Sequence, residues 1–219
     1  ARGGYGTVRI IDKIDFSKFA AKPKWIIGYS DVTVLHSHIH KNFEIETLHA
    51  SMPINFPKNM EENESLSSLR KALTEDILNY KIPAHPLNRN GETEAVLIGG
   101  NLSILYSLAA TNSDISTDGK ILFIEDLDEY LYHIDRMIMN LKRSGKLTNL
   151  AGLIVGGMSD MKDNTIAFGK TAEEIIRDAV EEYSYPVCFG FPAGHINDNK
   201  ALIFGRNIKL NVNEEVEIN

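Results

Sequence analysis

Short apolar runs alternate with segments of helical periodicity along most of this chain, and that alternation constrains its fold more than any other feature. Lys24–Gly28, Glu94–Ile98, Lys120–Glu125, Leu150–Val155 and Pro186–Phe191 each hold a nearly continuous apolar run and read as strands with buried faces. Between them Asp31–Lys41, Asn101–Ala110, Tyr130–Lys146 and Thr171–Glu182 carry apolar residues at helical spacing. The tail, Ala201–Phe204 and Asn207–Val212, alternates as antiparallel strands do around Gly205. Strand and helix interleave, so the class is α/β. Pro57, Pro83 and Pro86 flank a charged stretch, Asn59–Lys71, that reads as an exposed helix, and they mark a division. Residues 1–56 form one part, 57–92 a linker and 93–219 a second part.

Composition removes several classes of function. Thirty acidic against 23 basic residues leave a net charge of -7 and no basic patch of the size a phosphate backbone needs, so nucleic acid is not expected as a partner. No apolar run approaches the roughly 20 residues that span a bilayer, and no charged-then-apolar leader opens the chain. Membrane attachment is therefore not expected, and the cytoplasm fits. Cys188 stands alone in Pro-Val-Cys-Phe, where it reads as packing. The opening Ala1-Arg-Gly-Gly-Tyr-Gly-Thr, without a methionine, looks like a turn that follows a strand, and further residues are expected ahead of it.

The chemistry centres on Gly28-Tyr-Ser-Asp31. A glycine two places before Ser30 allows a sharp strand-to-helix turn that would raise the hydroxyl beside free N–H groups, as in a nucleophile elbow. The second glycine of such an elbow is replaced by Val32, and Ser30 or Asp31 would equally serve as a helix N-cap. A serine nucleophile needs a histidine base and an orienting carboxylate. Of seven histidines, His36 and His40 share a helix face that a metal could use, but no acidic ligand accompanies them and a solvated face is the simpler reading. His195 follows a buried strand within Gly190-Phe-Pro-Ala-Gly-His, a loop setting suited to catalysis. Glu125 ends a buried strand, where a carboxylate needs a partner; Glu129 is the reserve.

Arg2-Gly-Gly-Tyr-Gly, Pro23-Lys, Gly28-Tyr-Ser-Asp-Val-Thr, Gly99-Gly-Asn-Leu-Ser, Phe123-Ile-Glu-Asp, Ile134-Asp-Arg-Met and Gly190-Phe-Pro-Ala-Gly-His occur in one order over nearly the whole chain. In this the chain resembles the LD-carboxypeptidase family of serine peptidases, which includes murein tetrapeptide carboxypeptidases and microcin immunity peptidases. The resemblance implies Ser30 as nucleophile, His195 as base and Glu125 as orienting acid. It implies an oxyanion hole from backbone N–H groups of Asp31 and the Gly3-Gly4 turn, with Gly100 and Asn101 near the substrate. It further implies an N-terminal α/β domain, whose first part lies ahead of Ala1, and a barrel-like C-terminal domain with flanking helices. The substrate would be a murein peptide, with no metal or organic cofactor, and the protein a homodimer. Arg2, Arg9 and Arg136 are candidates, by charge, for holding the substrate's terminal carboxylate.

Overall fold

The computed structural model describes residues 3–59, 61, 63–75 and 77–219. The first part holds α1 (Ser17–Ala21), β1 (Ile27–Gly28), α2 (Thr33–Phe43) and β2 (Thr47–His49), followed by α3 (Glu64–Thr74) and β3 (Tyr80–Pro83). A βαβα run comes next: β4 (Gly91–Asn101), α4 (Leu102–Ser107), β5 (Ile121–Leu127), α5 (Leu131–Arg143), β6 (Gly152–Ser159), α6 (Ala172–Ala179) and β7 (Val187–Cys188). The chain ends in β8 (Leu202–Phe204), β9 (Asn207–Val212) and β10 (Glu215–Ile218).

These strands form two mixed sheets, one of three strands in the order β1-β2-β8 and one of seven in the order β3-β10-β9-β4-β5-β6-β7. In the larger sheet β4 to β7 run parallel, which explains their continuous apolar runs, since a parallel sheet is covered on both faces. Ile121 and Phe123 point into a core shared with Leu97, Ile154, Phe191 and Phe204. Leu122 and Ile124 point the other way, into a core closed by α4, α5 and α6. Helix α5 supplies Ile134, Met137, Ile138 and Leu141 to that core, one face at helical spacing, and a Thr171/Glu174 capping box starts α6.

The sheet is not the barrel that the family resemblance implies. Its edges β3 and β7 do not pair; instead Arg89, between β3 and β4, exchanges two backbone hydrogen bonds of 3.0 Å with Val187. One bridge satisfies the edge locally without closing the cylinder. The stretch 57–92 contains α3 and β3, and β3 pairs with β10 in the larger sheet. Helix α3 is amphipathic rather than simply exposed, because Leu69 and Ala72 pack with Leu48, Ala201 and Ile203. The strand expected over Lys24–Gly28 shortens to Ile27–Gly28, and Trp25 is exposed. Strand β8, from the far end of the chain, pairs with β2 and so ties the second part to the first.

Candidate active site

At the end of β1 the chain turns in a way only a few residues tolerate. Gly28 has φ 153°, and a Cβ there would stand 2.8 Å from Val32 Cγ2. Tyr29 is extended, and Ser30 adopts the left-handed region at φ 63°, which costs a non-glycine residue on the order of 1–3 kcal/mol. A single 3-10 turn, Ser30–Val32, then leads into α2. Neither Ser30 nor Asp31 caps α2, whose N-cap is Val32 without a side-chain bond; the cap expectation is corrected because the turn places both residues ahead of the helix. The turn is held from three sides. Ala50 N–H donates to Gly28 O (3.3 Å), Val32 N–H donates to Tyr29 O (3.3 Å), and His36 Nε2–H donates to Gly28 O (2.9 Å).

His36 is therefore no part of a solvated face. Burial pushes its pKa down to about 4, so the ring is neutral and its Nδ1 is unpaired. His49 is fully buried as well, and burial, with His36 and His195 nearby, holds its pKa well below the usual value. Among the described residues no group of three His, Cys, Asp or Glu side chains converges as a metal site.

The glycine turn at the start of the chain reaches this same point. A Cβ on Gly3 would lie 3.1 Å from Ser30 Oγ, and one on Gly4 would lie 3.7 Å from Asp31 Oδ2. Asp31 fastens the turn: Oδ2 accepts from Gly6 N–H (3.1 Å), Thr7 N–H (3.1 Å) and Thr7 Oγ1–H (2.7 Å). The Asp31 side chain thus anchors the loop rather than capping α2.

From the larger sheet come Glu125 and His195. Glu125, fully buried on β5, accepts from His195 backbone N–H (3.1 Å), and its Oε2 lies 2.7 Å from His195 Nδ1. A carboxylate only accepts, so Nδ1 carries the hydrogen and Nε2 is left as the basic nitrogen. The His195 loop is seated by small residues. A Cβ on Gly194, at φ 111°, would fall 2.7 Å from Glu125 Oε2, and one on Gly156 would fall 2.6 Å from Ala193 O. Gly157 N–H donates to Ala193 O (2.9 Å), and Ser159 Oγ–H donates to His195 O (2.8 Å). The Tyr29 ring stands edge-on to His195 at 4.7 Å, which places the imidazole beside the residue preceding Ser30. Ser30 Oγ itself has no hydrogen-bond partner among the described residues. Glu129 bonds His133 Nδ1 at 2.6 Å instead of His195.

Gly100 and Asn101 link the two halves from the interior. Asn101 N–H donates to Thr33 Oγ1 (3.0 Å) at the start of α2, its Nδ2 donates to Asp126 Oδ1 (2.9 Å), and its Oδ1 caps α4 through Ile104 N–H (3.2 Å). A Cβ on Gly100 would press on Thr33 Oγ1 at 2.5 Å. Asn101 is 3% exposed, and its bonds align α2 with β4 and β5. Asp126, beside it, has its pKa raised by burial to about 6. Arg2 lies outside the described residues, Arg9 stacks on Tyr5 and Arg136 on Tyr132, and neither of these two is hydrogen-bonded to Ser30, Glu125 or His195. Burial raises the Cys188 thiol to about 12, in keeping with packing. Tyr29, Thr33 and the Gly156-Gly157 pair were not singled out from sequence, and the clamp role of His36 was missed; of these, the glycine pair at a strand end is the signal that could have been read.

A strained serine turn and a buried Glu–His pair lie at the meeting of two mixed sheets, the groups a hydrolase of the serine-peptidase kind uses. The sequence profile of the LD-carboxypeptidase C-terminal domain matches residues 94–210, and that of the LD-carboxypeptidase N-terminal domain matches residues 1–50. A Bacillus subtilis protein named "Probable murein peptide carboxypeptidase" is 36% identical over 222 residues, covering 100% of this chain and 69% of that relative. The crystal structure of muramoyltetrapeptide carboxypeptidase from Oxalobacter formigenes superposes with a TM-score of 0.90 at 28% identity, over 99% of this chain and 74% of the other. The microcin self-immunity protein MccF shares the fold at a TM-score of 0.83 and 20% identity, over 99% and 73% of the two chains. This chain belongs to the LD-carboxypeptidase family, and is a serine-type carboxypeptidase. No helix among the described residues is long and apolar enough to cross a membrane.

Proposed function

We propose that the protein hydrolyses the amide between an L-centre, L-lysine or meso-diaminopimelate, and a terminal D-alanine of murein tetrapeptide, as part of peptidoglycan recycling in the cytoplasm, and that it works as a homodimer. The observation that carries this reading is the 2.7 Å Glu125–His195 pair set beside a left-handed Ser30 under the Gly3 turn, within a family of carboxypeptidases. His195 Nε2 takes the Ser30 proton as Oγ attacks the scissile carbonyl, and Glu125 keeps the imidazole in the Nδ1–H tautomer. The oxyanion faces the backbone N–H groups of Asp31 and the Gly3-Gly4 turn, with no side chain in the way. Collapse expels D-alanine, whose amine is protonated by His195; water, deprotonated by the same nitrogen, then releases the acyl group and restores Ser30. The Ser30–His195 hydrogen bond forms when substrate fills the site.

A serine-directed fluorophosphonate tests the nucleophile directly. One covalent adduct by intact mass, mapped to Ser30 and abolished by Ser30→Ala or His195→Ala, is expected; labelling elsewhere, or undiminished in these variants, overturns it. The fold shared with MccF supports a second reading, cleavage of a peptidyl-nucleotide by the same groups. Presenting both substrates to the wild-type enzyme separates the two, and turnover of neither, with binding intact, would mark a binding module.

A further inference from the structure

A cavity of about 100 Å³ lies between the His195 loop and the start of α3, and its walls include Tyr29, Ser51, Asn55, Asn63, Asn197 and Asn199. It lies one side chain away from the reacting groups: Tyr29, in its wall, precedes Ser30 with its ring 4.7 Å from His195, and Asn197 lies two places beyond His195. No lining residue carries a charge.

Part of this polar wall is committed to the fold. Tyr29 O–H donates to Asn55 Oδ1 (3.1 Å), Asn63 Oδ1 caps α3 through Leu66 N–H (2.9 Å), and Asn199 Oδ1 accepts Gly194 N–H (2.8 Å). What remains without a partner among the described residues is Asn55 Nδ2, Asn63 Nδ2, the buried Asn199 Nδ2, the Asn197 carboxamide and the Ser51 hydroxyl. These are donors with acceptors interleaved and no ion. A carboxylate or ammonium in this space would lose hydration with no counter-charge to replace it. An alkyl group would strand the asparagine donors. An amide, with one carbonyl acceptor and N–H donors, matches the set.

We propose that this cavity is a subsite for an uncharged carboxamide on the acyl side of the substrate. The proposal rests on the carboxypeptidase reading, under which the terminal residue brings a carboxylate that this neutral wall cannot take; the cavity therefore serves the other side of the scissile bond. The enzyme would then favour acyl peptides whose side carboxylate is capped as an amide.

Two peptides ending in D-alanine and differing only in one acyl-side group, carboxamide against free carboxylate, test it. Wild-type kcat/KM is expected to favour the carboxamide by about tenfold or more, carried mainly by KM, and Asn197→Leu and Asn55→Leu are each expected to reduce that ratio toward one. Equal use of the two peptides by the wild type, or an undiminished preference in both variants, overturns the subsite. Calorimetric binding of the same peptides to Ser30→Ala separates the two claims: a carboxamide preference in binding without hydrolysis by the wild type would refute the reaction and keep the subsite. Binding with no preference refutes the subsite whatever the hydrolysis.

Discussion

Lowering the pH should loosen the serine turn through His36. Its ring is buried, neutral and bonded by Nε2–H to Gly28 O at 2.9 Å, with a pKa of about 4 against an unfolded value near 6.5. A base whose folded pKa is depressed takes up protons more readily when unfolded, so the folded state loses ground as pH falls below 6.5 and continues to do so down to about 4. At 1.36 kcal/mol per pKa unit, a shift of this size amounts to roughly 3 kcal/mol by pH 4, of which roughly 2 is lost by pH 5. Asp126, raised to about 6, acts in the opposite direction, because an acid held protonated in the fold stabilises it at low pH. Comparison with His36→Gln cancels Asp126, and the glutamine amide can still donate to Gly28 O without titrating. Urea unfolding at pH 7, 6 and 5 should therefore show the wild type losing about 2 kcal/mol relative to His36→Gln between pH 7 and 5. Parallel pH profiles for the two proteins would refute the assignment of His36 as a buried neutral clamp.

Other substitutions probe the seating of the pair and the core beneath it. Gly194→Ala puts a methyl 2.7 Å from Glu125 Oε2 at φ 111°, and should lower kcat by on the order of 100-fold with the circular dichroism spectrum preserved; wild-type turnover would contradict the packing. Glu125→Gln keeps the shape but no longer enforces the Nδ1–H tautomer of His195, and kcat should fall by about 10⁴-fold, read with KM in steady-state hydrolysis. Phe123→Ala, in the fully buried core between the sheets, should cost about 3–5 kcal/mol in urea unfolding, and a loss under 1 would show that the core had been misplaced.

How far the sequence could be read follows from which residues announce themselves. Strands β4 to β7 were legible because both of their faces are buried, which writes apolar runs such as Ile121–Ile124 into the chain. Strands β2 and β3 are three and four residues long and owe their place to pairing with β8 and β10, which no local pattern of Thr47–His49 or Tyr80–Pro83 encodes. Strand β10, Val216 and Ile218 in with Glu215 out, did alternate and could have been recognised. At the site, Glu125 and His195 were marked by a charge at a buried strand end and a histidine in a glycine loop, and the structure brings them to 2.7 Å. Ser30 stayed open between cap and nucleophile because what rules out the cap is a backbone angle, φ 63°, which residue types do not reveal. His36 and His40 looked like one helix face, but His36 turns under Gly28 while His40 sits against Gly205, so the shared spacing served packing.

The central claim is that Ser30, driven by His195 and Glu125, removes a terminal D-amino acid from an L-centre. Its most direct test is the release of alanine from murein tetrapeptide and from its analogue ending in L-alanine, followed by chiral chromatography that separates D- from L-alanine, for wild type and Ser30→Ala. The account predicts D-alanine release by the wild type, none from the peptide ending in L-alanine, and none by the variant. Release by Ser30→Ala at the wild-type rate, or equal release of L- and D-alanine, would contradict it.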